Sequence, residues 1–453
     1  MTHRLVVIGG DAAGMSAAST AKRRAGDAID VVVYERTSWT SYSACGIPYW
    51  IAGDVDEASE LIARTPEQHR ANDIDLHTGV EVTAIDPVAH TVTLAGGATD
   101  SYDSLLIATG AEPIRPDLPG IDAQGIFGVK SITDGEEILG ALGSNPQRAV
   151  VVGSGYVGLE MAEACVRRGL QTTVIDRHPA PLSLIDTDLG ALVAKAMVGL
   201  GIDVQSSTAV MGFEAQDGRV TGVVTEGRTY PADLVILGIG VAPRTALARA
   251  AGLPLGPTGA LKVGPDLRVE GQHRIWAAGD CVESFDRVTK TFVNIALGTH
   301  ANKQGLVAGQ HIAGAVVGSA APLYFQGVVG TAVTKICEVE IGRAGLSEEQ
   351  ARVAGFHPVS ASIEATTRSG YMPGAKDITV KLVADRVTRR VLGVQIVGGD
   401  GSALRIDIAA LALWNEMTVD DLMMSDLAYA PPFSPVWDPV QVAARAVIRQ
   451  LGY

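Results

Sequence analysis

One feature limits this chain more than any other: the same glycine-rich segment occurs in it twice. LVVIGGDAAG, ending at Gly14, recurs as AVVVGSGYVG, ending at Gly158. Each copy leads through a small-residue stretch of helical character into a second β-branched run that closes on an acid, VVVYE at Glu35 and TTVID at Asp176. The acid falls about twenty residues past the last glycine, the span of one dinucleotide-binding βαβ unit. A later pair, YDSLLIATG ending at Gly110 and ADLVILGIG ending at Gly240, repeats the echo. Two interleaved βαβ nucleotide folds follow, with continuous Val/Ile/Leu runs as buried parallel strands.

The proline-rich AEPIRPDLPG, Ala111 to Gly120, and the surroundings of Pro243 read as crossings between the two units. Beyond about Gly330 the texture changes to mixed strands and helices, TAVTKICEVEIGRAG, DITVKLVAD, VLGVQIVGG and SALRIDIAALALWNEM. The expected fold class is therefore α/β, with two interleaved Rossmann-like nucleotide-binding domains plus a C-terminal α+β domain. Residues 1–115 and 244–328 form the first, 116–243 the second and 329–453 the third, and 453 residues suffice for three cores.

Lys and Arg number 36 against 50 Asp and Glu, a net charge of −14, which repels nucleic acid and anionic membranes. Neither is expected as a partner. A polyanionic ligand needs a local basic pocket. Cys45, Cys165, Cys281 and Cys337 are far apart, so no CxxC, zinc spacing or disulfide framework exists; no metal is expected, and a reducing cytoplasm fits best. No apolar run approaches the ~18 residues that span a bilayer. Asp11 and the clustered glycines interrupt the apolar start, which favours a first strand over a signal peptide.

Gly153, Gly155 and Gly158 form a complete GxGxxG: a turn, a close approach to pyrophosphate and a helix–strand contact, with phosphate at the helix N-terminus. Asp176 accepts from a ribose 2′-hydroxyl and repels a 2′-phosphate, favouring NADH; Arg177 and His178 beside it could soften that preference. In the first loop Gly9, Gly10 and Gly14 surround Asp11, whose carboxylate disfavours a nearby pyrophosphate. RIWAAGD runs into Gly279 and Asp280; Asp280 is either a helix cap or an acceptor for the sugar-alcohol hydroxyls of FAD.

Cys45 lies in SWTSYSACGIPYWIAG, whose Ser41, Ser43, Gly46 and Pro48 suggest a turn entering a helix. A helix N-terminus lowers a thiol pKa and leaves a nucleophilic thiolate; the alternative is a small buried hydrophobe, the reading given to Cys165 and Cys337. VNIALGTHANKQG marks a strand end and a helix beginning near Gly298 or Thr299, with the helix N-terminus suited to an anionic reduced flavin. His300 has no evident partner. DLAYAPPFSPVWDP is a rigid loop whose Tyr429 and Phe433 serve either the core or a site.

Taken in order, GGDAAG, Glu35, SYSACGIPY, ATGA, GSGYVGLE, AAGDC, ALGTHANKQG, YMPG and AYAPPFSPVWDP resemble the pyridine nucleotide-disulfide oxidoreductases over essentially the whole chain. The resemblance is to the single-cysteine branch, which holds coenzyme A disulfide reductases, NADH oxidases and peroxidases, and persulfide reductases. It implies FAD held by Gly9, Gly14, Glu35, Thr109 with Gly110, and Gly279 with Asp280, Asp11 being a position where the branch commonly departs from glycine. It implies NADH, with NADPH possible, at Gly153, Gly155, Gly158 and Asp176, with Tyr156 gating the nicotinamide and Glu160 beneath it.

Cys45 matches the redox cysteine beside the flavin. Without a second cysteine nearby, it cycles through a mixed disulfide with a small thiol or a sulfenic acid. The peroxidase and oxidase pattern has a histidine where Ala12 stands here, which argues against that chemistry. The coenzyme A disulfide reductase pattern has tyrosines at Tyr429 and Tyr371, contributed by the partner subunit, and so implies a homodimer and a dimerisation role for the third domain. Arg23, in the cationic Lys22, Arg23 and Arg24, and Ser41 are its substrate-side residues. Ala44 departs from the Asn of many such reductases.

The implied activity passes electrons from NAD(P)H through FAD and Cys45 to coenzyme A disulfide or a related small disulfide or persulfide, with coenzyme A as substrate or adduct. An NADH oxidase and a low-turnover flavin redox sensor are the alternatives. No rhodanese-like module is expected after Tyr453.

Overall fold

The computed structural model describes residues 2–452. The glycine-rich repeat organises two parallel sheets. In the first, the strand order is Ile275–Ala277, Ser104–Ile107, His3–Ile8, Ile29–Glu35 and Ile74–Thr78, all parallel. In the second it is Asp203–Gln205, Gln171–Ile175, Arg148–Val152, Leu234–Leu237 and Ile126–Gly128, again all parallel. Their central strands, LVVI and AVVV, are buried on both faces, as the unbroken apolar runs require. A three-stranded antiparallel meander accompanies each sheet.

The two proline-bearing crossings come together. Ala111–Pro113 and Val241–Pro243 pair antiparallel, so one short ribbon carries the chain out of the first unit and back. Prolines at its ends suit a ribbon that needs few ladder hydrogen bonds.

The helix Ala12–Ala25 packs against Gly298–Val317, and small residues set the spacing. A Cβ on Gly305 would lie 2.3 Å from the Ala13 carbonyl oxygen, and one on Gly309 2.5 Å from that of Ala17. Side chains larger than hydrogen at these points would push the helices apart. This contact brings the N-termini of both helices, at Ala12 and Gly298, to the carboxyl edge of the first sheet.

The C-terminal sheet is antiparallel, in the order Ala332–Ile336, Val339–Gly345, Val391–Gly398, Asp377–Asp385 and Pro358–Thr366. Pro358–Thr366 is a strand that the sequence pattern did not single out. The helix Pro439–Leu451 covers this sheet with Val440, Ala443, Ala444, Val447 and Ile448, all buried. Lys381, 10% exposed, ties it to the second parallel unit, its Nζ 3.2 Å from Asp186 and 3.1 Å from Asp188. No helix among the described residues is long and apolar enough to cross a membrane.

Candidate active site

In a parallel sheet the carboxyl ends of the strands open into a crevice where loops can meet a ligand. Here Glu35, Gly9, Thr109 and Asp280 follow four adjacent strands of the first sheet in that spatial order, and all four line one cleft of about 660 Å³. Gly110 and Gly279 line it too.

Gly9 turns with φ of +106°, and a Cβ there would lie 2.2 Å from the Ala108 carbonyl oxygen, so only glycine fits. Gly14 lets the following helix close on the turn, its missing Cβ falling 1.9 Å from the Gly9 carbonyl oxygen. Glu35 is already oriented: Oε2 accepts from the Gly10 N–H at 2.8 Å, and Oε1 from the N–H and hydroxyl of Thr37, each at 2.8 Å.

Asp11, where a middle glycine belongs, lines the cleft and is held by the Cys45 segment. Its Oδ1 accepts from the Tyr42 N–H at 3.2 Å. Burial raises its carboxyl to about 6. The loop thereby exchanges a glycine for a hydrogen bond that ties the first turn to the Cys45 segment, and the raised pKa weakens, at mildly acidic pH, the negative charge that the sequence places there.

Cys45 sits in a single 3-10 turn, Ala44–Gly46, entering the short helix Ile47–Ala52, as the sequence suggested. Its neighbours Tyr42 and Ala44 line the cleft, and its thiol is exposed. The expected lowering of its pKa is reversed in the field of the chain itself. Burial of the surrounding turn comes first, the carboxylates of Glu160 and Asp280 add to it, and Lys130 alone opposes them. Cys165 and Cys281 are buried, and burial raises both thiols. Cys337 is partly buried in a hairpin turn at φ of +45°, rather than packed within a strand.

The second glycine loop is regular. Gly153 has φ of +97°, and a Cβ on Gly158 would lie 2.1 Å from the Gly153 carbonyl oxygen. Gly155 meets only one atom, at 3.7 Å, so its backbone is open to a ligand. Asp176 is saturated: Oδ2 accepts from the Ser154 N–H at 2.7 Å and hydroxyl at 2.5 Å, and Oδ1 from the His178 N–H at 2.9 Å. The His178 ring adds a contact at 2.8 Å. Burial pushes this carboxyl up, but the Ser154 and His178 hydrogen bonds outweigh it and hold it below the usual range.

One helical turn after Tyr156, Glu160 accepts from the Thr334 hydroxyl at 2.9 Å. Burial lifts its carboxyl to about 7, with Glu163 contributing in the same direction, and Tyr156 to about 12.

The sequence profile of the pyridine nucleotide-disulphide oxidoreductases matches residues 3–305, and that of their dimerisation domain residues 331–439. This chain belongs to that family. It is 39% identical over 98% of its length to an "NAD(P)H sulfur oxidoreductase (CoA-dependent)" of Pyrococcus abyssi, 98% of which is covered. It is 34% identical over 99% of its length to an "NADH oxidase" of Methanocaldococcus jannaschii, again with 99% covered. Among solved structures, an NAD-dependent persulfide reductase from A. fulgidus matches with a TM-score of 0.94 and 36% identity, over 99% of this chain and 83% of that one.

Other anticipated residues of this oxidoreductase lie outside the cleft. Tyr371 and Tyr429, 76% and 48% exposed, stand on neighbouring loops of the C-terminal sheet, joined where the Ser369 N–H donates to the Pro431 carbonyl at 3.1 Å. The Ser41 hydroxyl is engaged by the His69 ring at 2.9 Å. Of the cationic trio, Lys22 and Arg24 bond to nearby carbonyls, whereas the exposed Arg23 contacts only Thr20, at 3.5 Å. His300 is mostly buried, its pKa lowered by that burial.

Sequence reasoning missed Lys130. It lies between the strand Ile126–Gly128 and the helix Ile132–Leu142, and its Nζ reaches Asp280 Oδ2 at 2.7 Å inside the cleft. The Ser131 and Asp134 capping box does mark where that helix starts, but not which carboxylate the lysine meets. Arg343, largely buried, was missed as well; it approaches Tyr156 from the C-terminal sheet.

The saturation of Asp176 predicts the outcome of removing it. Asp176→Ala frees His178 and leaves the exposed Arg177 at the end of the second strand, with no carboxylate there to repel a 2′-phosphate. The NADPH-to-NADH ratio of kcat/KM is expected to rise by about tenfold or more. Steady-state dye reduction with each nucleotide measures this, and an unchanged ratio would remove Asp176 from the ribose site.

Proposed function

We propose that this protein is an FAD-dependent NAD(P)H reductase of coenzyme A disulfide or a related small disulfide or persulfide, acting through Cys45. The observation that carries this reading is Cys45, the one exposed cysteine of the four, next in the chain to Ala44 of the cleft lining and without a second thiol in its own turn. The CoA-dependent relative supports the choice of acceptor.

The residues present fit FAD. Gly9, with Gly14 letting the helix close on its turn, would place that helix N-terminus at the phosphates, Glu35 would receive the ribose, and Lys130, Thr109 and Asp280 line the same cleft. Bound there, FAD would supply two-electron transfer between a reduced nicotinamide and the sulfur of Cys45. The second glycine loop binds the pyrophosphate of NAD(P)H, and Tyr156 closes over its nicotinamide.

The Cys45 thiolate attacks one sulfur of the acceptor disulfide, forms a mixed disulfide and releases the first thiolate. Two electrons and a proton then return Cys45 to the thiolate and release the second thiol. The phenols of Tyr429 and Tyr371 from a second copy of the chain donate hydrogen bonds or protons to the leaving sulfur. Exposure of these rings together with Phe433 and Val436 supports a homodimer, as does the dimerisation-domain match. Arg23 and Ser41 serve the substrate side. Four free cysteines are compatible with the reducing cytoplasm.

The NADH oxidase relative supports a second reading, in which oxygen is the acceptor. Tyr429→Phe separates the two. The reductase is expected to lose roughly tenfold to a hundredfold in kcat/KM for coenzyme A disulfide, with oxygen consumption unchanged. Rapid oxygen consumption together with negligible disulfide turnover in the wild type would establish the oxidase instead.

A further inference from the structure

The loops carrying Tyr371 and Tyr429 need a device that holds them. Residues 425–437 contain no helix or strand, and the 367–376 segment is a loop closed at its base by Thr367 and Lys376. Exposed aromatic rings on such segments are mobile unless the backbone beneath is anchored. Outside their own segments, these loops share few bonds. Gln441 holds the Ser425 carbonyl at one end, the Ser369 N–H meets Pro431, and two longer contacts, Arg368 to Asp400 and the Ser434 hydroxyl to Asp438, each at 3.4 Å, complete them.

One side chain joins the rest. The Arg405 guanidinium donates to the Thr367 carbonyl in the first loop and to the Phe433 carbonyl in the second, the latter at 2.9 Å. It also donates to the Gly401 carbonyl and to Asp438 Oδ2 at 3.1 Å. The Arg405 and Asp438 side chains are 10% and 9% exposed. Asp438 is fixed in turn, since its Oδ1 caps the helix Pro439–Leu451 through the Val440 N–H at 2.9 Å.

A largely buried ion pair is weak evidence for a stability role, because desolvation offsets most of the attraction. A guanidinium is instead suited to geometry: its planar fork of five donors meets several carbonyls in one arrangement, which an ammonium cannot reproduce. Asp438 neutralises it, leaving the remaining donors to two loops separated by about sixty residues of sequence.

We propose that Arg405 is a positioning residue for disulfide reduction, holding the Tyr371 and Tyr429 loops in one fixed relation as they reach a second copy's Cys45. This rests on the role given to Tyr429 above. The pair acts on the acceptor half of the reaction and not on the nucleotide half, since neither loop enters the cleft of its own chain.

The test uses the FAD-loaded dimer and compares Arg405→Lys, Asp438→Asn, Tyr429→Phe and the double variant Arg405→Lys with Tyr429→Phe. NADH-dependent dye reduction and sedimentation report that each is loaded and assembled. Arg405→Lys is expected to lower kcat/KM for coenzyme A disulfide by roughly tenfold or more, with dye reduction within about twofold of the wild type. Its pH profile should take the form of that of Tyr429→Phe. The double variant should lose less than the product of the two single losses, because the part of the Arg405 effect that acts through Tyr429 is already gone.

Multiplicative losses in the double variant, or full disulfide turnover in Arg405→Lys, would overturn the positioning role while leaving Tyr429 in place. Full turnover in Tyr429→Phe itself would instead overturn the underlying reading of the site, and this inference with it. If Arg405→Lys does not assemble, Asp438→Asn decides by the same comparisons, paired with Tyr429→Phe.

Discussion

Cys45→Ser is expected to leave a folded, FAD-binding protein that still oxidises NADH with an artificial dye, while disulfide turnover falls by about a thousandfold or more. The substitution exchanges sulfur for oxygen at an exposed position in a turn, so no cavity forms and no buried partner is lost. What disappears is the nucleophile. Serine stays protonated at neutral pH and forms no mixed disulfide, and no other thiol can substitute. Cys165 and Cys281 are sealed in the core, and Cys337 lies in a separate hairpin turn. Mass spectrometry adds an independent check, because incubation with coenzyme A disulfide should add one coenzyme A to the wild type and none to the variant. Turnover at the wild-type rate in Cys45→Ser would refute the sulfur relay.

Lys130→Met should also produce a large loss, with a characteristic pH dependence. Lys130 is the one group acting to lower the Cys45 thiol, against burial, Glu160 and Asp280. Without it the thiol pKa rises, and each unit of rise reduces the thiolate at neutral pH about tenfold. The sign follows: activity lost near pH 7 returns as pH increases, because the thiol then ionises at a higher pH.

Asp280, 11% exposed at its side chain, also loses its partner, and a largely buried carboxylate left unpaired disfavours binding at that end of the cleft. Disulfide turnover at pH 7 should fall roughly tenfold or more, while Lys130→Arg, which keeps the cation, should retain the wild-type profile. Rate–pH curves for the three proteins make the comparison. A Lys130→Met curve superimposed on the wild type would show that this lysine does not set the thiolate population.

Much of the fold was legible because its signals are local. Gly9 at φ of +106° and Gly153 at φ of +97° are turns that side chains bar, so the glycines had to stand at those places in the sequence. The unbroken apolar strands and the acids at Glu35 and Asp176 followed at fixed intervals for the same reason. Pro358–Thr366 escaped notice because PVSASIEAT mixes small and polar residues and owes its strand state to pairing along its whole length with Asp377–Asp385.

The site was legible in its residue types and less so in its electrostatics. The Cys45 turn was found, but a rule about helix ends gave its thiol the wrong direction, since the burial that chiefly raises it and the carboxylates of Glu160 and Asp280 that add to it depend on segments far away along the chain. Asp11 looked adverse, and only the fold ties it to Tyr42.

Sequence alone determined the two nucleotide folds, their glycine turns, the acids that close their second strands and the cysteine in a turn entering a helix. Steric limits on backbone angles and the periodicity of apolar residues act between near neighbours in the chain, and can be recognised there. Only the tertiary structure decided that Lys130 meets Asp280, that Glu160 meets Thr334, and that Arg405 joins two tyrosine loops. Charge interactions depend on distance in space, and packing of remote segments sets that distance.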